Sequence, residues 1–204
     1  LGVEFSIEAP GIDEPSMPDG TDPTELARTR AYDKTYSVGA NCSNGTVIGA
    51  DTVVEIEGRI MDKPVDADEA KKMLILLRNK EHTVVTAVCV LDPTSGEYLI
   101  NHKSSTVKMR NYSDEEITDY VALEDAMDKA GAYAIQNEIF SPVEKVKGCY
   151  LNVVGLPVCA TDSLLRRFGV RVKYNLKTSF VGFSKCPECQ IALGLQQVKG
   201  RKKR

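Results

Sequence analysis

The sequence predicts a domain of the α/β or α+β class, built on a mixed sheet. Apolar runs rich in β-branched residues alternate with capped amphipathic segments, and hairpin turns are inserted between some of the strands. A length of 204 residues with 42% hydrophobic content is enough for one domain with its own core. We find neither an internal repeat nor an interdomain linker.

The first 36 residues of the chain contain a short strand, a loop and a helix. Residues 3–8 alternate apolar and polar side chains, which predicts the strand, and the loop follows over residues 10–20. Asp22 suits the N-cap of a helix, with Pro23 at the first helical position and Glu25 at the third. We expect this helix to run to about Tyr36.

The middle of the chain predicts two hairpins separated by a helix. Residues 47–54 form a strand, which turns back on itself at residues 57–59. Asp66 opens a helix whose apolar side chains share one face. Residues 82–91 read as the next strand, and residues 98–109 as its hairpin partner.

The last elements follow a capping box formed by Ser113 and Glu116, which starts a third helix. Residues 128–131 predict a tight turn, with Tyr133 and Gln136 on a short helix after it. Residues 143–150 are strand-like, and residues 156–168 are helical.

Charge and hydropathy exclude some classes of protein. No run of about eighteen apolar residues exists that could span a membrane, and the first residues do not resemble a signal peptide. The net charge is −3, and the last six residues carry five positive charges, so the remainder carries −8. An acidic body binds an anionic substrate only with a divalent cation or a local basic cluster.

The six cysteines indicate a reducing compartment, which predicts a cytoplasmic protein, because most lie in apolar or strand-like sequence. Cys186 and Cys189 form a lone C-x-x-C, either half of a shared zinc site or, as we favour, two free thiols. The basic tail suits either a nucleic-acid contact or a solvated segment, and we favour the latter. His82 and His102 are too far apart to predict a metal site.

Asp51 is the most informative residue, because it stands alone in the apolar run over residues 47–54. An unpaired buried carboxylate costs several kcal/mol. Gly49 and Ala50 suggest open space through which a ligand could approach it. Asp51 is therefore either a structural carboxylate satisfied by backbone N–H groups at a strand end, or a functional group in a cleft.

Three segments together resemble the Maf family of nucleoside triphosphate pyrophosphatases. They are V-I-G-A-D-T-V-V at residues 47–54, D-K-A-G-A-Y-A-I-Q at 128–136 and N-V-V-G-L-P at 152–157. The resemblance covers Leu1 to about Gly169 and implies a single Maf-like α/β domain over residues 1–172, a mixed twisted sheet flanked by helices with a central cleft. Residues 173–204 are then a C-terminal extension.

The resemblance implies chemistry and partners as well. The expected reaction converts dTTP, UTP and modified pyrimidine triphosphates to the monophosphate and pyrophosphate, using Mg²⁺ or Mn²⁺. Such hydrolysis requires an activated water and neutralised phosphoryl oxygens. A homodimer is expected, with neither a membrane nor a nucleic acid as partner.

Asp51 matches the family's catalytic carboxylate, the proton acceptor and a metal ligand. Glu14 matches a second carboxylate near the metal and phosphates, although an isolated Asp-Glu-Pro is usually only a loop. Lys63 precedes Pro64, which favours an extended backbone, and as a point charge it suits a phosphate. On residue type alone, it is more often solvated surface.

The remaining substrate contacts also come from the resemblance. Arg30 stands where the family usually carries Lys, so the charge is kept but the geometry differs. Lys129 lies in the second motif. Thr52 and Gln136 match positions that the family uses for substrate choice, and a side-chain amide can pair with a uracil-type ring.

One family element, Ser-x-Ser-x-Arg-Arg, is absent from the printed sequence. In the family it cradles the phosphates before the first helix, so we expect weak or no turnover from the chain as printed. The alternative to an enzyme is a catalytically weak nucleotide-binding or regulatory relative, linked to cell-division control.

Overall fold

A computed structural model describes residues 1–13 and 17–173. Five strands lie in this part of the chain: β1 (Val47–Ile56), β2 (Arg59–Met61), β3 (Glu81–Leu91), β4 (Tyr98–Met109) and β5 (Val143–Lys147). Its α-helices are α1 (Pro23–Gly39), α2 (Ala67–Leu77), α3 (Asp114–Val121), α4 (Tyr150–Val154) and α5 (Val158–Arg167). A short 3-10 turn covers Ala130–Ala132.

The strands form one sheet in the order β2-β1-β3-β4-β5, and every pairing between them is antiparallel. The predicted α/β class is confirmed, whereas the described sheet is antiparallel and not mixed. The physical reason is connectivity. Hairpin connections join β1 to β2 and β3 to β4, and a hairpin reverses the chain. The longer connections that contain α2 and α3 also return the chain antiparallel, in the β1–β3 and β4–β5 pairs.

Helices cover both faces of this sheet. On one face, Leu26 and Ala31 of α1 pack against Val53 and Val85. On the other face, α2 and α3 bury the larger core cluster, and α5 packs over Val88. Because β3 is covered on both sides, its run of apolar residues is nearly continuous.

The predicted caps and hairpins are confirmed. The side chain of Asp22 accepts hydrogen bonds from two backbone N–H groups at the start of α1, and Ser113 and Glu116 form the capping box of α3. The α1 helix continues three residues beyond Tyr36, to Gly39. The β3–β4 hairpin pairs residues 81–91 with 98–108 without a break.

Two local predictions were wrong, and two elements are shorter than predicted. Residues 3–8 form no strand, because no neighbouring strand pairs with them, and Phe5 and Ile7 are exposed. The strand predicted over 143–150 ends at Lys147, where Gly148 adopts a positive φ of 123°. The last helix begins at Val158, since Pro157 serves as its N-cap. The helix expected for Tyr133 and Gln136 is a 3-10 turn that ends at Ala132.

The space beside Gly49 is also filled, contrary to expectation. A Cβ atom at this position would lie 2.2 Å from Oγ1 of Thr35 and 3.0 Å from the carbonyl oxygen of Ala31. The glycine therefore lets α1 approach β1, and does not open a route for a ligand. Glu14, the Cys186–Cys189 pair, the basic tail and the predicted extension beyond residue 173 lie outside the described residues. No described helix has the length and apolar character needed to cross a bilayer.

Candidate active site

A cleft of about 210 Å³ lies beside the middle of β1. Its walls come from α1, β1, the link between β2 and α2, the segment over residues 128–133 and α4. These parts are far apart in sequence, so only the folded domain brings them together. The cleft lining includes four basic and three acidic side chains, which gives it an excess of positive charge within an acidic protein.

Asp51 forms part of the cleft wall and lies on the α1 side of β1. It is buried, with 5% of its surface exposed, and the Nζ of Lys34 lies 2.5 Å from its Oδ1. Burial of a carboxylate is costly unless a cation accompanies it. The ammonium of Lys34 supplies that cation, so the site holds an ionised carboxylate at the wall of a cleft.

Arg30 lies one helical turn before Lys34, on the same face of α1. It is 8% exposed, and its guanidinium donates a hydrogen bond of 3.0 Å to Oδ1 of Asp62. Asp62 is in the link between β2 and α2, next to Lys63. The ion pair therefore fixes the link that carries Lys63 against the helix that carries Lys34.

Lys63 and Lys129 bring the other two positive charges to the cleft. The Nζ of Lys129 lies 2.5 Å from Oδ1 of Asp128 and 3.8 Å from Oδ1 of Asp125. The hydrogen bond from Lys129 lowers the pKa of Asp128, and the positive charge of Lys63 contributes to the same shift. Asp128 is thus held in its ionised form between the two lysines.

The segment over residues 128–133 is anchored on both sides. Gly131 has a φ of 72°, its N–H donates to the carbonyl oxygen of Asp62, and a Cβ there would lie 3.2 Å from Val54. This conformation fits the tight turn predicted over residues 128–131. Tyr133 lines the cleft, and its hydroxyl forms a 2.8 Å hydrogen bond with Nε2 of the buried His82. Both anchors hold Lys129 at the cleft.

The structure brings together five of the seven predicted site residues: Asp51, Thr52, Lys63, Arg30 and Lys129 all line the cleft. Gln136 is exposed in a turn and is not among the lining residues. Glu14 lies outside the described residues. The roles of Gln136 and Glu14 stay predictions.

Sequence reasoning missed Lys34, Asp62 and Tyr133. Lys34 had a detectable signal, because it follows Arg30 by four residues on a predicted helix and must share its face. Asp62 is adjacent to Lys63, and Tyr133 lies in the second motif. Nothing in the sequence around them distinguishes Asp62 from a surface carboxylate or Tyr133 from an aromatic residue of the core.

Within the described residues, no group of three or more His, Cys, Asp or Glu side chains could hold a metal ion. Asp51 nevertheless offers a hard oxygen ligand in a cleft with room beside it. Mg²⁺ is commonly bound by one or two carboxylates together with substrate phosphates and water. The donor type therefore fits Mg²⁺ or Mn²⁺ bound together with a phosphorylated substrate.

The fold and cleft are those of an α/β domain with a charged cleft beside its sheet, and comparison with known proteins identifies the family. Residues 1–168 match the Maf family, described as Maf-like protein, and the chain belongs to that family.

Curated relatives share about two-fifths of their residues with this chain. A protein of Dictyoglomus turgidum is 41% identical over 169 residues, which covers 83% of this chain and 88% of the relative. A protein of Thermomicrobium roseum is 42% identical over 192 residues, covering 94% and 86% respectively. A protein of Pelotomaculum thermopropionicum is 40% identical over 172 residues, covering 84% and 90%. Each is named dTTP/UTP pyrophosphatase.

Proposed function

We propose that this chain hydrolyses dTTP, UTP and modified pyrimidine triphosphates to the monophosphate and pyrophosphate, and so removes unwanted nucleotides from the cellular pool. The observation that carries the proposal is the buried Asp51 carboxylate in a cleft with four basic side chains. The relatives' name supports the choice of substrates.

The reaction requires a water oxygen to form a bond to phosphorus while the bond between the α and β phosphates breaks. Asp51 accepts the proton that the water loses, in the general-base role that suits a carboxylate. Lys34, at 2.5 Å, stabilises the negative charge of Asp51 before the proton arrives. The departing pyrophosphate carries the electron pair of the broken bond.

The basic side chains compensate the charge of the triphosphate. Lys63 and Lys129 line the cleft as point charges, which suit phosphoryl oxygens without imposing one geometry. Arg30 is engaged with Asp62, so it contributes positive potential and holds the Lys63 link in place. Together they favour a bound anion on a protein whose overall charge is negative.

Asp51 would hold Mg²⁺ or Mn²⁺, with Glu14 as the proposed second carboxylate. Such an ion polarises phosphoryl oxygens and lowers the pKa of a bound water. The Asp51 carboxylate would thus have two roles, as a ligand of the ion and as the acceptor of the water's proton.

The experiment that tests this proposal identifies products from a panel of triphosphates. We expect dTTP and UTP, incubated with Mg²⁺ or Mn²⁺, to yield the monophosphate and pyrophosphate faster than CTP or ATP. Release of orthophosphate and a nucleoside diphosphate would contradict the cleavage position. Because the Ser-x-Ser-x-Arg-Arg element is absent from the sequence, the assay is repeated with that element added at the N-terminus. Calorimetric binding of dTTP with no hydrolysis by either form under either metal would contradict the enzymatic role and support the regulatory alternative.

We also propose a cytoplasmic homodimer. Cys42 and Cys89 are free thiols, which fits a reducing compartment. The dimer rests on the resemblance to the family alone. Light scattering during gel filtration should give about twice the 22.4 kDa chain mass, and a mass of one chain at micromolar concentration would contradict it.

A further inference from the structure

A chain of hydrogen bonds runs from the cleft into the core and starts at the hydroxyl of Thr52. Thr52 on β1 lies directly opposite Thr86 on β3, and their Oγ1 atoms are 2.9 Å apart. Thr52 lines the cleft, whereas Thr86 is fully buried. The distance alone does not say which hydroxyl donates.

The next bond settles the direction. Oγ1 of Thr86 lies 2.7 Å from the main-chain carbonyl oxygen of Asn152, and a carbonyl oxygen can only accept. Thr86 has one hydroxyl hydrogen, and it is used in this bond. Thr52 must therefore donate its own hydrogen to Thr86.

The side chain of Asn152 fixes Thr86 from a second direction. The Thr86 N–H donates to Oδ1 of Asn152 at 2.8 Å, and Nδ2 of Asn152 donates to the Val84 carbonyl oxygen and to Oγ of Ser105, both at 2.9 Å. Backbone groups therefore define which end of the amide is oxygen. Asn152 has no exposed surface, so water does not compete for these bonds.

Gly155 lies beside the hydroxyl of Thr52 and, because it has no side chain, leaves space next to that hydroxyl. This glycine has a φ of 114°, and a Cβ there would stand 3.5 Å from Oγ1 of Thr52. A side chain at position 155 would thus cover the hydroxyl. With its hydrogen directed inward, the oxygen offers only lone pairs to a ligand.

We propose that Thr86 and Asn152 are positioning residues that make Thr52 an acceptor-only contact, and that this contact selects the imide N3–H of uracil and thymine. Cytosine carries a lone pair at N3, which would face the lone pairs of Thr52. A polar site left unpaired in this way loses roughly 10- to 100-fold in affinity. This inference rests on the proposed function, because it explains how the same cleft would choose its base.

Equilibrium binding tests the inference without requiring turnover. We would measure the dissociation constants of the α,β-methylene analogues of UTP and CTP by calorimetry with Mg²⁺. For the unmodified chain we expect a preference for the uracil analogue of at least about tenfold. Thr86→Val removes the hydroxyl at nearly constant volume, frees the Thr52 hydrogen to point outward, and should reduce that preference to within about threefold.

Two variants separate positioning from a general loss of structure. Thr86→Ser keeps the hydroxyl and should restore the preference. Thr161→Val is a matched control, since Thr161 is equally buried and its hydroxyl also donates to a carbonyl oxygen, that of Pro157, away from the cleft. It should leave the preference unchanged.

Thr52→Val gives a second test if Thr86→Val fails to fold, because it leaves the Thr86–Asn152 bonds intact. It should weaken binding of the uracil analogue about tenfold and leave the cytosine analogue nearly unaffected. An equal effect of Thr52→Val on both analogues, or an unchanged preference in Thr86→Val, overturns the inference alone. An unmodified chain that binds neither analogue overturns the proposed function, and this inference with it.

Discussion

Replacement of Lys34 by Met should destabilise the protein, because it removes the ammonium that lies 2.5 Å from the buried carboxylate of Asp51. Asp51 is 5% exposed, and the Lys34 side chain is 19% exposed. Removal of one partner from a buried ion pair costs about 3–5 kcal/mol, and the partial exposure of Lys34 places our expectation near the lower limit, at about 3 kcal/mol. Met keeps most of the aliphatic volume, so the change reports mainly on charge.

A double-mutant cycle isolates the interaction. Asp51→Asn alone should cost about 1 kcal/mol, since the Lys34 ammonium can move toward solvent. The double variant, in which both side chains are neutral, should lose about 2 kcal/mol less unfolding free energy than the sum of the losses in the two single variants. Urea denaturation followed by circular dichroism measures all four proteins at one pH and salt concentration.

The exposed pair of Lys80 and Glu57 provides the control. Its atoms are 3.0 Å apart, but both side chains are largely solvated, at 42% and 58% exposure. The same cycle there should give a coupling of about 0.5 kcal/mol or less. A coupling energy between Lys34 and Asp51 no larger than that of the exposed pair would refute the reasoning that burial makes this ion pair important.

Two further predictions concern stability. Burial lowers the pKa of His82 to about 4, from about 6.5 in an unfolded chain, so the folded state requires the neutral ring. The contribution of the neutral ring to the free energy of unfolding should be fully present above pH 6.5. It should be lost as the pH drops toward 4, by about 3 kcal/mol in total. His82→Gln should flatten this part of the pH dependence, His102→Gln should leave it unchanged, and an equal slope in all three proteins would contradict the assignment. Gly49→Ala should cost about 1–3 kcal/mol by overpacking, because the new methyl group would meet the backbone of α1 at 3.0 Å; a change below about 0.5 kcal/mol in urea denaturation would show that α1 can move aside.

Local signals in the sequence were sufficient for most of the elements. Helix starts were predicted correctly where a side chain satisfies the backbone, as at Asp22 and Ser113, because capping is decided within a few residues. The β3–β4 hairpin was equally clear, since its apolar runs flank a polar turn. Alternation failed at residues 3–8, because a strand also needs a neighbour to pair with, and the sequence does not say whether one exists.

The site was predictable in part for the same reason. Asp51 was detectable because a carboxylate in an apolar strand is locally anomalous. The Lys34–Asp51 and Arg30–Asp62 pairs join residues 17 and 32 positions apart, and only the packing of α1 on β1 decides such contacts. The prediction for Gly49 was wrong because a glycine in a strand can leave space either for a ligand or for a neighbouring helix. Only the tertiary packing, here the approach of α1, decides between the two.

The central claim is that Asp51 takes the proton from the attacking water, and the rate of pyrophosphate release from dTTP in Asp51→Asn tests it most directly. The control is Asp162→Asn. Asp162 is also a buried carboxylate, it is paired with Arg166, and it does not line the cleft. We expect Asp51→Asn to lower kcat/KM by about 10²- to 10⁴-fold and Asp162→Asn to leave it within about twofold. Activity in Asp51→Asn equal to that of Asp162→Asn, with both proteins folded, would contradict the account.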